Sequence, residues 1–209
     1  MDSFPIEVLE YVYDLSYKID NTGRSDDKVI IYEDKYVLKI SDNKERLLKE
    51  KNKIDFLNGK LAVPRSVLFE EYNGKYYYLR TFIVGDSLIA NKFLNDPIRL
   101  IKILVKCVKL LKSIDKYKIP FNSQENVGNS FVHGDLCLPN IIVDADDNIA
   151  GFIDLDNSGL GDPWYDYAWL LWSLEYNLKT DKYNEILLNE LEIEFDQQKF
   201  EQYIPLEYR

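Results

Sequence analysis

A chain of 209 residues, 46% of them apolar and 30% charged, is long enough for one domain or for two small lobes. Its formal net charge of −10 argues against a nucleic-acid partner, and no uncharged apolar run is long enough to cross a membrane. The acidity suits a cationic small-molecule substrate, or it serves solubility alone. Two cysteines make no disulfide framework, so we expect a cytoplasmic protein, while nothing indicates an oligomeric state.

The first part of the chain has the pattern of a small antiparallel sheet with helices. Short runs rich in β-branched and aromatic residues predict strands at residues 16–19, 29–32, 35–40, 66–70 and 76–82. An Asn-Gly pair before the last strand is typical of a hairpin turn. Helices are predicted at residues 6–13 and from a cap at Ser41 or Asp42 to residue 58, with Gly59 as the stop signal.

The second part has the longer apolar periodicity of helices around one β-rich stretch. Helices are predicted at residues 97–114, 163–177, 181–192 and 197–203. We therefore predict an α+β fold with two lobes. The N-terminal lobe, residues 1–84, would be a small antiparallel sheet, and the C-terminal lobe, residues 85–209, would be mostly helical.

A predicted hairpin carries the polar residues that suggest chemistry. Apolar runs at residues 141–143 and 149–153 flank an acidic loop. If Val143 pairs with Ala150, Asn140 lies opposite Ile153 and next to Asp154. Asp135 precedes the first strand at the same open end. Three oxygen-bearing side chains should therefore meet there.

This set of residues predicts phosphoryl transfer from Mg·ATP. The spacing D-x-x-x-x-N, here Asp135 and Asn140, is that of a kinase catalytic loop. Asp135 would accept the proton of the attacking hydroxyl, and Asn140 and Asp154 would hold Mg²⁺. Each residue taken singly could instead cap a turn. We expect His133 to support the loop rather than to act as a base.

The first lobe offers residues for the nucleotide phosphates. Lys39 ends an apolar strand, and Glu50 lies in the apolar row of the following helix, which implies a buried partner such as Lys39. Glu50 could alternatively be solvated at the edge of that row. Gly23 and Ser25 lie in a polar stretch that could cover phosphates, although many such stretches are plain turns.

Three sequence strings resemble the aminoglycoside 3'-phosphotransferases, which share the protein-kinase-like fold. They are HGDLCLPN at residues 133–140, GFIDLD at 151–156 and GDPWYD at 161–166. The likeness extends to residues 20–25, Lys39, Glu50 and residues 59–64, so it covers most of the chain. The resemblance implies that residues 81–83 form a hinge, with Thr81 and Ile83 meeting adenine, and that Asp166 braces the catalytic loop.

The chain also departs from that family. Family members carry a helical insertion before the His-Gly-Asp loop, where only residues 115–130 stand here. Asp156 replaces a family glycine and would share a strand face with Asp154, adding charge to the metal or substrate site. Glu175 and Glu207 are candidate contacts for substrate ammonium groups, or else solvated charges.

Three functions are therefore considered. The first is an ATP-dependent phosphotransferase acting on a hydroxyl of an aminoglycoside or a similar cationic small molecule. The second keeps the chemistry but uses another small alcohol, such as a choline-like compound or a sugar. The third is a nucleotide-binding protein without transfer activity, favoured by the short insertion and the single glycine of the phosphate loop.

Overall fold

The computed structural model describes residues 4–20, 27–123 and 128–208. The chain forms two compact units, Met1–Val84 and Gly85–Arg209, each with its own set of internal contacts. No candidate membrane-spanning helix is found in the part of the chain that the structure describes.

The first unit is a five-stranded antiparallel sheet with two helices, close to the predicted pattern. Its elements in chain order are α1 (Ile6–Val12), β1 (Tyr17–Asp20), β2 (Lys28–Tyr32), β3 (Tyr36–Ser41), α2 (Lys44–Leu57), β4 (Ser66–Tyr72) and β5 (Lys75–Thr81). The strand order is β1-β2-β3-β5-β4, so β3 and β5 are interior neighbours. Leu38 and Leu79 face each other across that pair and are wholly buried in the core of this unit.

Helix α2 begins one or two residues later than the sequence predicted. Its cap is Asn43, whose Oδ1 accepts from the Arg46 N–H at 3.0 Å, and not Ser41 or Asp42. Ser41 instead ends β3, and its hydroxyl accepts from the Asn43 N–H. All three residue types can cap a helix, so composition alone did not decide between them.

The second unit is mainly helical, as predicted. Its elements are β6 (Asp86–Ser87), α3 (Asn91–Leu94), α4 (Pro97–Lys112), β7 (Ser130–Val132), β8 (Ile141–Val143), β9 (Ile149–Phe152), β10 (Gly159–Gly161), α5 (Pro163–Leu178), α6 (Lys182–Glu190) and α7 (Gln197–Tyr203). Single 3₁₀ turns lie at Lys116–Lys118, Leu138–Asn140 and Leu206–Tyr208. Pro97 stands at the start of α4, and Asp96 caps it through the Arg99 N–H.

The β8–β9 hairpin has the predicted register at its open end. Ile141 pairs with Phe152, and the Ile153 N–H donates to the Asn140 carbonyl at 3.1 Å. Toward the turn an irregularity shifts the register, so Val143 pairs with Ile149 and not with Ala150. The open end of the hairpin therefore has the predicted pairing, while the acidic loop is one residue shorter than predicted.

Two short pairings that the sequence did not predict hold this region together. β7 pairs with β10, which places the residues before His133 beside the residues after Asp156. β6 pairs with β8, so the start of the second unit lies against the hairpin. Gly85 permits this approach, because a Cβ there would lie 2.5 Å from the Val143 carbonyl oxygen.

Candidate active site

Asp135 lies half-buried on the loop that joins β7 to β8, residues 133–140, called here the 133–140 loop. Both of its carboxylate oxygens have donors. The Asn140 Nδ2 donates to Oδ2 at 2.8 Å, and the Cys137 thiol donates to Oδ1 at 3.2 Å. The predicted D-x-x-x-x-N pair is thus in direct contact.

The orientation of the Asn140 amide matters for any cation. Its Nδ2 also donates to the Asp135 backbone carbonyl at 3.0 Å, so the NH₂ group is fully directed at the 133–140 loop. The opposite amide atom, Oδ1, is then the one available to a hard cation. The 3₁₀ turn Leu138–Asn140 sets this geometry, since it turns the chain directly into β8.

Asp154 and Asp156 lie beyond the end of β9. β9 ends at Phe152, and Asp154 has a left-handed backbone with φ of 62°. The two residues therefore do not share a strand face, contrary to the prediction, because the chain turns at Asp154. A non-glycine residue in this conformation costs roughly 1–3 kcal/mol and is typical of functional sites.

The electrostatics of the site are those of a carboxylate cluster. Burial raises the pKa of Asp135 above its ordinary value, and the negative charges of Asp154 and Asp156 raise it further. The donors Cys137 and Asn140 oppose this effect. A carboxylate with a raised pKa is a better proton acceptor, and the three acidic groups together favour a cation.

His133 is wholly buried and supports the 133–140 loop. Its Nδ1 accepts from the Asp135 N–H at 3.3 Å, and its ring lies 5.8 Å from that of Phe152. Burial lowers the pKa of His133 to about 4, so the ring is neutral at physiological pH. Nothing in this placement exposes it to a substrate.

Asp166, near the start of α5, holds the backbone of the same loop by two hydrogen bonds. Its two oxygens accept from the His133 N–H at 2.6 Å and from the Gly134 N–H at 2.9 Å. Burial raises the pKa of Asp166 to about 7, with the two amide donors acting in the opposite direction. Gly134 has φ of 86°, and a Cβ there would lie 2.3 Å from the Asn157 carbonyl oxygen.

In the first unit, Lys39 and Glu50 form the predicted pair. The Lys39 Nζ lies 2.8 Å from Glu50 Oε2, and Glu50 is 2% exposed. Sequence reasoning missed the third member, Arg80 on β5, whose Nη1 lies 2.9 Å from Glu50 Oε1. A single arginine in an apolar and aromatic strand was the signal that could have found it. These three residues are called here the Glu50 clamp.

The other predicted nucleotide residues are placed unequally. Gly23 and Ser25 lie outside the described residues. Thr81 ends β5, and its N–H donates to the Arg65 carbonyl, while the Phe82 N–H donates to the Lys35 carbonyl. Two of the three hinge amides thus already donate to backbone carbonyls beside the sheet, and Ile83 follows in the loop.

The two candidate substrate carboxylates are exposed and lie apart in sequence. Glu175 is on α5, where its Oε2 lies 3.5 Å from the Asn184 Nδ2. Glu207 is in the 3₁₀ turn Leu206–Tyr208. The position of neither carboxylate identifies it as a substrate contact.

The donor set was compared with what Mg²⁺ requires. Across residues 4–20, 27–123 and 128–208, no group of three or more His, Cys, Asp or Glu side chains forms a ready metal cage. Asn140 and Asp154 supply only hard oxygen atoms. Mg²⁺ commonly takes one or two protein oxygens and completes its shell with phosphate and water, so these residues fit it in the presence of a nucleotide.

Comparisons with known proteins find phosphotransferases among the sequences similar to this chain. Residues 124–203 match the sequence profile described as the Phosphotransferase enzyme family. A probable aminoglycoside 3'-phosphotransferase of Lactococcus lactis is 26% identical, with 80% of each chain covered. The aminoglycoside 3'-phosphotransferase of Enterococcus faecalis is 27% identical, with 76% of this chain and 77% of the relative covered.

Solved structures extend the likeness to the fold. An aminoglycoside phosphotransferase of Streptomyces rimosus superposes with a TM-score of 0.78 at 18% identity, covering 96% of this chain and 97% of that chain. The same enzyme in complex with ADP and streptomycin superposes with a TM-score of 0.77. These matches confirm the predicted α+β, protein-kinase-like fold and the predicted resemblance in sequence.

Proposed function

This chain resembles the aminoglycoside 3'-phosphotransferases in sequence and has the aminoglycoside phosphotransferase fold, and from that premise we propose its reaction. It transfers the γ-phosphate of ATP, with Mg²⁺, to a hydroxyl of an aminoglycoside or a similar cationic small molecule. The observation that carries this proposal is the Asp135–Asn140 contact at the open end of the hairpin, with Asp154 following the partner strand. That arrangement combines a proton acceptor with two oxygen ligands for a cation.

Asp135 is proposed as the group that aligns and deprotonates the acceptor hydroxyl. The Asn140 amide fixes one of its oxygens, so the carboxylate presents a defined direction to the acceptor. Its raised pKa favours proton transfer during the step. Most of the rate enhancement would come from positioning and charge stabilisation, because phosphoryl transfer needs little covalent help from the protein.

Asn140 Oδ1 and Asp154 are proposed to hold Mg²⁺. When bound, the ion neutralises the developing charge on the phosphates. Lys39 is proposed to contact the phosphates, with Glu50 fixing its ammonium group. The Ile83 N–H is the hinge amide proposed to meet adenine, since those of Thr81 and Phe82 already donate to the Arg65 and Lys35 carbonyls. Gly23 and Ser25 remain proposed phosphate-loop residues.

The substrate class is proposed from charge. The chain carries a net charge of −10, and Asp156 adds a carboxylate beside Asp135 and Asp154. Such a field attracts protonated amines. Glu175 and Glu207 remain candidate contacts for them. The alternatives are a smaller alcohol as acceptor, or nucleotide binding without transfer.

The test is ATP consumption with Mg·ATP in the presence and absence of kanamycin or neomycin. Stimulation by an aminoglycoside supports the proposal. Stimulation by choline or a sugar alone would support the smaller acceptor, and no stimulation by any alcohol would leave only nucleotide binding. Susceptibility of bacteria expressing the chain tests reaction and substrate class together.

A further inference from the structure

Three aromatic residues form a row along α5 that the proposed chemistry has not used. Trp169, Trp172 and Tyr176 follow one another at i, i+3 and i+7, which places them on one helix face. The Trp169 and Trp172 ring centroids are 5.6 Å apart with an interplanar angle of 80°. Trp172 and Tyr176 are stacked at 5.1 Å and 18°. We call these three residues the aromatic row.

Helix α5, which carries the aromatic row, contacts the loop that carries Asp135. Ser173, adjacent to Trp172 in the chain and one turn after Trp169, accepts from the Leu138 N–H at 3.0 Å. The Cys137 thiol lies 4.0 Å from the Trp169 carbonyl oxygen and 3.2 Å from Asp135 Oδ1. One side chain thus bridges the backbone of the row and the proposed base.

The row is open to solvent for part of its surface. Tyr176 is 54% exposed, and both tryptophans are partly exposed. Tryptophan is seldom left exposed without a reason, because its ring carries a large apolar surface. A row that combines two tryptophans with a stacked tyrosine is therefore a candidate binding surface rather than ordinary helix covering.

The chemistry of the row favours a cation. Indole and phenol faces attract ammonium groups, and tryptophan does so most strongly. The row already holds one such group, since the Lys179 Nζ lies 4.1 Å from the Tyr176 ring centroid. The charges of Asp154 and Asp156 act on Asp135, on the loop that α5 contacts, and a negative potential there favours a protonated amine.

The occupant must also fit next to Asp135. The acceptor hydroxyl has to reach that carboxylate for transfer to occur, so the acceptor is the ligand that necessarily enters this region. A compact alcohol that bears an ammonium group can place its hydroxyl at Asp135 and its charge against the aromatic faces. A protein partner would not need to approach the base.

We propose that the aromatic row is the subsite that holds the ammonium-bearing part of the acceptor, by cation–π contact and ring stacking. This proposal rests on the proposed phosphotransfer at Asp135. It assigns amine recognition to Trp172 and its neighbours in addition to the carboxylates. It thereby predicts that a cationic alcohol is preferred over a neutral alcohol of the same shape.

The test uses the full chain with kanamycin, choline and the neutral isostere of choline in which carbon replaces nitrogen. In Trp172→Ala we expect the acceptor KM to rise about 3- to 30-fold, the range of a lost cation–π contact, with the ATP KM unchanged. Trp172→Phe should recover part of the loss, which a merely misfolded helix would not show. Tyr117→Ala is the matched control, because Tyr117 is an aromatic residue of the same unit that is 90% exposed.

Calorimetric binding of the same three compounds, with ADP and Mg²⁺ present, separates this proposal from the reaction itself. If no compound turns over but choline or kanamycin binds the natural chain and loses affinity in Trp172→Ala, the subsite stands and the proposed reaction fails. Equal KM and equal affinity in the natural chain and Trp172→Ala would overturn the subsite. Equal binding of choline and its neutral isostere would overturn it as well.

Discussion

His133 shows how one buried side chain can be recognised as support rather than as a catalyst. It is the single histidine of the chain, it is wholly buried, and its Nδ1 accepts from the Asp135 N–H. A general base must reach its substrate, and this ring does not reach solvent. Its neutrality instead keeps the acceptor nitrogen that orients the backbone of Asp135.

The lowered pKa of His133 predicts a dependence of stability on pH. The folded protein resists protonation of this ring down to a pKa of about 4, whereas the unfolded chain takes up the proton near the ordinary value of 6.5. This stabilisation is therefore complete above pH 6.5 and is lost as the pH falls from there toward 4. We expect a loss of about 3 kcal/mol over that range.

Two measurements check this prediction. The imidazole signal in NMR, which comes from one ring only, should not titrate between pH 5.5 and 8 (a window of roughly 2.5 units around the ordinary value). The difference in unfolding free energy between the natural chain and His133→Gln should shrink as the pH falls through the same region. A normal titration near 6.5 would contradict the buried, neutral ring.

Asp135 carries the sharpest prediction at this scale. Asp135→Ala should lower turnover by about 100- to 10,000-fold, the usual contribution of a positioned base, while nucleotide affinity is retained. Asp144→Ala is the control, since Asp144 is a carboxylate of the acidic hairpin loop whose contacts are to Asp146 and Asn148. Steady-state kinetics and nucleotide titration check both parts. Retained turnover would remove Asp135 from the role of base.

At the scale of elements, the Glu50 clamp joins β3, α2 and β5. The two oxygens of Glu50 accept hydrogen bonds from Lys39 and Arg80. The side chains of Glu50 and Arg80 are buried, and that of Lys39 is 13% exposed. Buried charges of this kind are costly unless they are paired. The clamp therefore fixes the position of the Lys39 ammonium more firmly than a two-residue pair would.

Removal of the clamp's carboxylate should be strongly destabilising. Glu50→Ala removes the carboxylate that buried Arg80 and partly buried Lys39 share, so we expect a loss of about 3–5 kcal/mol in unfolding free energy and a raised KM for ATP. Glu71→Ala is the control, because Glu71 pairs with Lys44 at the surface, with both side chains about half exposed. Denaturant unfolding measures the difference. Equal losses in the two variants would show that the clamp does not act as a buried unit.

Two glycines with positive φ allow a matched test of the 133–140 loop. Gly74 and Gly134 have φ of 73° and 86°, yet a Cβ at Gly74 would meet nothing within 4 Å. Gly74→Ala should cost about 1–2 kcal/mol of backbone strain and leave turnover unchanged. Gly134→Ala adds the clash with Asn157, so turnover should fall sharply. Unchanged turnover in Gly134→Ala would show that the loop tolerates displacement.

Helices and turns whose boundaries are marked by proline, asparagine or glycine could be predicted from the sequence. Helix α4 begins at its predicted proline, and the Asn73-Gly74 turn has the positive φ values that its residue types allow. The open end of the β8–β9 hairpin was predictable because its apolar runs can align in few ways. β6, β7 and β10 were not, since strands of two or three residues exist only through their partners.

In the candidate site, too, some residues could be predicted from local sequence signals and others depend on tertiary contacts. Asp135, Asn140 and Asp154 follow from motif spacing and hairpin register, and Lys39 and Glu50 from a charged residue within an apolar row. The contact of Arg80 with Glu50 could not be predicted without knowing that β5 pairs with β3, and this pairing is a property of the tertiary structure. The relevance of the aromatic row to the site could not be predicted either, because it depends on the contact between α5 and the 133–140 loop, which the periodicity of the sequence does not reveal.

At the scale of the whole molecule, the chain consists of two units that each bury a separate core. The first packs its sheet around Leu38 and Leu79, and the second buries residues of α4, β9 and α5 such as Leu104, Phe152 and Leu171. Proposed nucleotide residues lie in the first unit, and the proposed base and metal ligands lie in the second.

Nucleotide should stabilise the molecule by mass action. At 100 times its Kd, a non-hydrolysable ATP analogue with Mg²⁺ should add about 2.7 kcal/mol to the unfolding free energy. Lys39→Ala should reduce this gain, whereas Lys44→Ala, a change at an exposed surface lysine, should keep it. Thermal unfolding with and without the analogue measures both. An equal gain in both variants would argue against a nucleotide role for Lys39.

Both cysteines of the chain are buried, one in α4 and one in the 133–140 loop. Burial raises the pKa of both thiols, so neither is a reactive thiolate in the folded protein. Their modification by a thiol reagent should consequently be slow and limited by opening of the structure. Cys107 would report opening of α4 and Cys137 local opening beside Asp135. In a Cys107→Ala variant, the rate at which Cys137 is modified would therefore measure the rate at which the 133–140 loop opens, without any added label.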